Sequence, residues 1–584
     1  MIAPSRAAVG CRLASWIPGR LPRGCRGRLL CRALFAGLAV SPAARAQAPS
    51  ARPLPTETAP AWTRGATCYE LFVRSFKDSD GDGIGDLKGA TSKLDHINDG
   101  NPKSTHSLGA RCIWLMPVDE SPSYHGYDVS DYYRVARVLG TNDDFKVFAA
   151  EAHKRGIKVL VDLVLNHSSS EHPHFLEALR DTASQYRAWY RWSATDPGRG
   201  PWGSDIWHKS PVRDEYYYGI FSSHMPDLNY ETPAVLDEAK RVAEFWIDSM
   251  HVDGFRLDAV SYLVEDGMHL AHTAGTHRVL REWQAYVRGI KPDVFTVGEV
   301  TYPNDTVLTY YPDQLTSYFA FEVADSIISA VRRGSSKGML APVMQLQRTV
   351  PVGRWSPFVR NHDQVRTRTE LGGDIAKAKI AATILLTMPG MPFVYYGEEI
   401  GMIGAKPDER LRTPMQWSAE HGDGFTTGTP WEQLQSDSLT TTVAAEERDA
   451  GSILALHRRL IHLRDRCAAI SVGKVIPLET GHDAVIAYIR RTDYEAVLVI
   501  ANLSDTAIAG VEVNTAESGA SGSAPVFTMR PGHWKAHNLL GRENTPPMDV
   551  KYDNRVVHYA PLDTLRAKKA YVIALSGPED WTCR

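Results

Sequence analysis

Eight short apolar runs, separated by segments of helical periodicity, restrict the fold of this chain more than any other feature. They lie at residues 68–74, 112–116, 158–165, 254–257, 294–299, 317–321, 357–360 and 392–396. Between them, residues 143–155 and 234–250 repeat their apolar side chains with the period of a helix. Buried strands alternating with helices predict a parallel sheet, and eight of them predict a (β/α)8 TIM barrel. A doubly wound sheet also alternates, but no Gly-x-Gly-x-x-Gly turn follows an early strand. One connection is too long for a simple loop. Roughly seventy residues rich in His, Tyr, Trp, Ser and Gly separate Leu165 from Ala234, which predicts an inserted domain after strand three. Beyond a helix at 453–466 the pattern becomes short alternating strands at 484–491, 495–502, 511–514, 526–529 and 571–575, a C-terminal antiparallel β-sandwich. The expected division is a signal peptide at 1–46, a linker at 47–61, a barrel at 62–166 and 231–470, an insert at 167–230 and a β domain at 471–584.

The leader carries Arg6, Arg12, Arg20, Arg23, Arg26 and Arg28 without an acidic residue. An apolar run from Ala33 to Val40 and the small-x-small site Ala44-Arg45-Ala46 follow. That predicts export, with a secreted or periplasmic product beginning at Gln47. The apolar run is too short to span a bilayer. A formal net charge of −3 over 584 residues, with no basic tract in the mature chain, gives no footprint for nucleic acid. Of the seven cysteines, Cys11, Cys25 and Cys31 leave with the leader. Cys68 and Cys112 sit in apolar strand-like runs and are expected as buried thiols. An exported chain permits a Cys467–Cys583 bridge, which spacing alone does not show. The absence of any Cys-x-x-Cys argues against a thiolate zinc site.

The chemistry starts at Val252-Asp253-Gly254-Phe255-Arg256-Leu257-Asp258-Ala259-Val260. Residues two apart share a strand face, so Arg256 and Asp258 project together from an apolar run. They are either an internal ion pair or part of an active site. In a barrel, active sites gather at the C-terminal strand ends. Asp258, Glu299 and Asp363 fall at such ends on three separate strands, and His167 closes another. Paired carboxylates suit glycoside hydrolysis: one attacks, the other protonates the leaving oxygen and then activates water. A neighbouring cation keeps the nucleophile ionised, and Arg256 is placed for that task.

Asp162-Leu163-Val164-Leu165-Asn166-His167, Gly254-Phe255-Arg256-Leu257-Asp258, Gly298-Glu299 and Asn361-His362-Asp363 resemble the four ordered motifs of the α-amylase family, glycoside hydrolase family 13, over about residues 62–575. The resemblance implies Asp258 as nucleophile, Glu299 as general acid/base and Asp363 as the carboxylate stabilising an oxocarbenium-like transition state. It further implies that Arg256 holds Asp258, that His167 and His362 bond sugar hydroxyls, and that His125-Gly126-Tyr127 supplies a ring stacking on the same sugar. The three carboxylates argue against a non-catalytic carbohydrate-binding or chaperone-like relative. Within the family, Met225-Pro226-Asp227-Leu228-Asn229 and Ser123-Tyr124-His125-Gly126-Tyr127-Asp128 resemble bacterial α-amylases intermediate between oligo-1,6-glucosidases and neopullulanases. Oligo-1,6-glucosidases and trehalose synthases usually have Asp where Tyr124 stands, which favours an α-amylase acting on α-1,4-glucans. Ala259-Val260-Ser261-Tyr262, without the Lys-His pair of typical α-amylases, and Arg412-Thr413-Pro414-Met415-Gln416-Trp417 keep an α-glucosidase or a trehalose-forming transferase as the alternative.

Asp78-Ser79-Asp80-Gly81-Asp82-Gly83-Ile84-Gly85-Asp86 offers oxygens at the spacing of an EF-hand loop, although Gly89 stands where that loop has its Glu. The resemblance implies a structural calcium ion (Ca2+) held by Asp78, Asp80, Asp82, the Ile84 carbonyl and Asp86. A second calcium near Asn166 stays open. His167, Glu171, His172 and His174 do not read as a zinc site, because Pro173 breaks helical spacing. The tryptophans of the insert, Trp189, Trp192, Trp202 and Trp207, are candidates for sugar stacking or for core packing. Glu398 and Glu399 are expected to support the barrel rim. The expected partner is an α-glucan or malto-oligosaccharide met by a monomer, with no membrane contact after the leader is removed.

Overall fold

The computed structural model describes residues 59–200, 203–515, 529–552, 554–577 and 583. The leader, most of the linker, Trp202 and most of the strand expected at 526–529 lie outside the described residues. Strands β1 (Cys68–Leu71), β2 (Cys112–Leu115), β3 (Lys158–Leu163), β4 (Gly254–Leu257), β5 (Phe295–Gly298), β6 (Ser317–Tyr318) and β7 (Phe393–Tyr395) form one sheet. All its pairings are parallel, and β7 returns to pair with β1. The strands are buried almost throughout, as a sheet covered on both faces requires.

The seventh place of the barrel differs from expectation. Residues 357–360 do not form a ladder. Ser356 exchanges backbone hydrogen bonds with Tyr318 and Ala320, both at 3.0 Å, and the Pro357 carbonyl accepts from Phe393 N at 2.9 Å. The barrel therefore closes through two residues, because Pro357 has no N–H with which to extend the pairing. The predicted helices are in place at Asn142–Lys154 and Pro233–Glu244. Thr141 and Asp144 cap the first reciprocally. The second begins on a proline, and its expected continuation to Met250 is a π-turn, Phe245–Ser249.

The insert holds a helix, Pro173–Arg180, and a three-stranded antiparallel sheet of Trp192–Ser193, Trp207–Lys209 and Tyr216–Tyr218. Aromatic packing binds it together. Phe175 stacks on Trp192, and the Arg187 guanidinium sits over the same indole at 3.5 Å. At the C-terminal end a seven-stranded sheet includes Lys474–Glu479, Val485–Arg491, Ala496–Asn502 and Lys569–Ser576. Alternate residues there serve different cores. Ile486, Tyr488, Val497 and Val499 pack toward the barrel, whereas Val485, Ala487, Leu498 and Ile500 pack into the β domain itself.

The cysteines correct one expectation. Cys68 and Cys112 are bonded to each other, not free thiols. Adjacent parallel strands bring them together, since Cys68 lies directly opposite Cys112 in the β1–β2 register. Cys467 and Cys583 form the second disulfide, tying the end of the chain to the helix Ile453–Arg466. No helix among the described residues is long and apolar enough to cross a membrane.

Candidate active site

The C-terminal strand ends open into a cleft of about 460 Å³. His125, Tyr127, His167, Asp258, Glu299 and Asp363 line it, while Arg256 and His362 lie beneath them. Gly254 allows β4 to sit where it does: a Cβ there would fall 1.9 Å from the Phe295 carbonyl oxygen. The chain leaves β4 sharply. Ala259 is left-handed, with φ of 46°, so the backbone turns away immediately after Asp258.

Arg256 organises the site. It is 1% exposed, yet its guanidinium meets three carboxylates: Asp162 at 2.9 Å, Asp258 at 2.6 Å and Glu299 at 2.5 Å. The expected pair of Arg256 and Asp258 is thus part of a larger cluster. Asp162 is fully buried, and Asp258 and Glu299 keep 13% and 20% of their side chains open, so only the latter two can meet a ligand. Burial raises the Glu299 carboxyl above its ordinary range; Arg256 opposes this, and Asp258 and Asp363 reinforce it. Burial likewise holds Asp162 up to about 7 against the pull of Arg256.

A second cluster surrounds Asp363. Its oxygens meet Arg412 at 2.7 Å and His362 Nε2 at 3.2 Å. His362 Nδ1 lies 2.6 Å from Glu70, and Nε2 lies 2.6 Å from the Tyr127 hydroxyl. Burial works against a charged His362, but Asp363 and Glu70 outweigh it and hold the imidazole up to about 9. The same contacts hold Asp363 far below the usual carboxylate range against its own burial. His167 is the opposite case. Burial pushes it down to about 4, its Nε2 donates to the Tyr127 carbonyl at 3.1 Å, and Asn166 lies 3.4 Å from Nδ1. His125 Nδ1 accepts from Tyr127 N at 3.1 Å.

These directions yield a prediction. His362 has a raised pKa, so its contribution to stability is complete below its ordinary value of 6.5 and is lost as pH rises through about 9. Thermal unfolding followed from pH 6.5 to 9.5 should show that loss. His362→Asn should flatten the slope over the same window. An unchanged slope would remove the charged imidazole from the account.

Glu70, Asp162, Phe221, Tyr302 and Trp431 have no role assigned by the motifs. Glu70 and Asp162 are acids inside otherwise apolar strands, the same signal that singles out Arg256, and Asp162 lies opposite Arg256 in the β3–β4 register. On one side of the cleft Tyr124 stacks on Trp431 at 5.4 Å, beside Arg412. On the other, Phe221 packs edge-on against Tyr262, whose hydroxyl lies 3.1 Å from that of Tyr302. Trp189, Trp192 and Trp207 of the insert do not line this cleft. Glu399 accepts from Tyr69 at 2.7 Å and lies 3.0 Å from His96, under the rim, and Glu398 lies 3.7 Å from Arg366.

The predicted metal loop is also assembled in part. Carboxylate oxygens of Asp78, Asp80 and Asp86 come within 4.8 Å of one another, while Asp82 accepts from Ile84 N at 2.7 Å. Gly83, at φ 93°, passes so close to Thr429 that a Cβ would fall 1.9 Å from its carbonyl oxygen. A cluster of hard oxygens on a tight turn fits a calcium ion.

A sequence profile described as "Alpha amylase, catalytic domain" matches residues 70–473. The chain is 39% identical over 449 residues to Alpha-amylase 3 of Dictyoglomus thermophilum, covering 76% of this chain and 85% of that protein. It is 33% identical over 520 residues to a trehalose synthase/amylase, TreS, of Mycolicibacterium smegmatis, covering 78% and 86%. The crystal structure of an α-amylase from H. orenii superposes with a TM-score of 0.75 at 37% identity, covering 87% of this chain and 99% of that one. With a profile match over most of its length and a barrel that carries the four motifs at its strand ends, the chain belongs to the α-amylase family of glycoside hydrolases.

Proposed function

We propose that this protein is an exported α-amylase that cleaves α-1,4-glucans with retention of configuration. The observation that carries the reading is the sharing of Arg256 between two partly open carboxylates, one of which is pushed toward its acid form. Asp258, held by the guanidinium, attacks the anomeric carbon. Glu299 gives its proton to the departing glycosidic oxygen, leaving a glycosyl ester on Asp258. Glu299 then takes a proton from water, the water oxygen attacks the same carbon, and Asp258 departs. Asp363, kept ionised by Arg412 and His362, stabilises the positive charge that develops on the sugar. Tyr127 supplies the ring face, and His125 offers its Nε2 to hydroxyls.

Tyr124 favours internal cleavage. It presents a ring stacked on Trp431 where a carboxylate would hold a chain end, so a longer glucan passes over it. The alternative, an α-glucosidase or trehalose-forming transferase, draws on the aromatic wall of Phe221, Tyr262 and Tyr302, which would hold an acceptor sugar in place of water. Incubation with starch, maltose and isomaltose separates the readings. Malto-oligosaccharides released from starch as α-anomers, with maltose turned over poorly, support the first. Trehalose or transfer products from maltose would replace it with the second.

The calcium site belongs to the same proposal. Asp78, Asp80, Asp82, the Ile84 carbonyl and Asp86 would hold a structural ion, fixing the loop after β1. Chelation should lower the unfolding temperature by about 2–3 °C, as loss of about 2–3 kcal/mol of linked binding energy would in a chain this long. Asp80→Asn should make the protein insensitive to chelator. Equal unfolding temperatures with and without calcium would rule the site out.

A further inference from the structure

A cavity larger than the catalytic cleft lies apart from it. It measures about 910 Å³ and lies between strand Asp131–Val135, the start of helix Pro173–Arg180, residues 185–190 and helix Pro233–Glu244. We propose that it is a second α-glucan site, which holds a segment of chain beside the catalytic cleft and steadies His167. This inference rests on the reading of the protein as a glucan hydrolase.

The lining has the chemistry of a sugar site. Rings line it: Trp189, buried, His174, stacked on Tyr186 at 3.8 Å, and Tyr133, with 36% of its surface exposed. The rim is polar: Asp131, Glu171 and Glu238 stand with Arg134 and Arg241, and the two arginines are already paired with Asp131 and Glu238. Burial lowers His174 and pushes the adjacent His172 down to about 3, so both imidazoles are neutral at ordinary pH. A pyranose ring answers this set of groups: apolar C–H faces for the aromatic walls, and hydroxyls for the polar rim. The volume lies within the range of small-molecule sites.

Position supports the same ligand. Val164, Leu165 and Ser168 line this cavity, while His167 of the same segment lines the catalytic cleft. Tyr132, in the wall, donates to the His167 carbonyl at 2.7 Å, and Tyr230 donates to the Leu165 carbonyl at 2.7 Å. A glucan ordering this wall would order the backbone that carries His167. His172 and His174 therefore face a cavity separate from that of His167, which also disposes of a shared zinc site.

The test uses Glu299→Gln, which binds without turnover, titrated with maltoheptaose by calorimetry. Two classes of site are expected. The second should disappear when Tyr133→Ala or His174→Phe is added, each checked for an unchanged unfolding temperature. In the active protein, Tyr133→Ala should weaken retention on insoluble starch about tenfold, while maltotriose hydrolysis stays within about twofold. One class of site in Glu299→Gln overturns the inference, as does a second class that survives both substitutions. Starch hydrolysis by the unmodified protein is scored separately. A protein that cleaves starch but titrates one site loses only this inference. One that binds maltoheptaose at Tyr133 but cleaves no α-1,4-glucan loses only the proposed activity.

Discussion

Asp258→Asn should lower starch hydrolysis on the order of 10⁴-fold or more, with little change in unfolding temperature. An amide cannot form the glycosyl ester, so the first displacement has no nucleophile. The fold should tolerate the change, because the amide oxygen still accepts from Arg256 and that arginine keeps Asp162 and Glu299 as partners. The substitution has a second consequence. Asp258 is one of the charges raising the Glu299 carboxyl, so its loss moves that group back toward its ordinary value. Asp363→Asn removes another such charge while sparing the nucleophile. In that variant the alkaline limb of the residual kcat/KM profile should shift to lower pH. An Asp258→Asn protein retaining more than a few per cent of turnover would refute the mechanism. An alkaline limb that stays in place in Asp363→Asn would refute the assignment of Glu299 as the acid.

The barrel was legible because a strand buried on both faces is written as a continuous apolar run, and such runs alternate with helices in this chain. The seventh place was not. Pro357 lies in an apolar stretch, and only its missing N–H distinguishes that stretch from a strand. The carboxylates of the cleft, Asp258, Glu299 and Asp363, were legible as acids at strand ends, and the Arg256–Asp258 pair as two residues sharing one face. Glu70 and Asp162 were not assigned, because their partners come from other strands and register is invisible in a single run. The Cys68–Cys112 bond was missed for the same reason: the cysteines meet only because β1 and β2 are neighbours in register. The second cavity escaped as well. Its rings come from four separate segments, each of which reads alone as ordinary aromatic packing.

Arg256→Met tests whether that guanidinium is structural, chemical or both. Removing it leaves Asp162 buried without its cation, a change that costs about 3–5 kcal/mol when one partner of a buried pair is lost. Stability should therefore fall by several kcal/mol in denaturant titrations near pH 7. Part of that loss should be recovered by Asp162→Asn in the same background, because the buried charge is then gone. Turnover should not recover with it. Asp258 would still lack the guanidinium that holds it at 2.6 Å, and Glu299 its anchor at 2.5 Å. The double variant should remain about 10³-fold slower than the native protein. Arg256→Lys should fare little better, since one ammonium cannot span the three carboxylates that the planar fork reaches. Recovery of both stability and rate in the double variant would make Arg256 a scaffold for Asp162 alone. Recovery of stability without rate assigns it both tasks: closing the core of the barrel, and holding the nucleophile and the acid at its mouth.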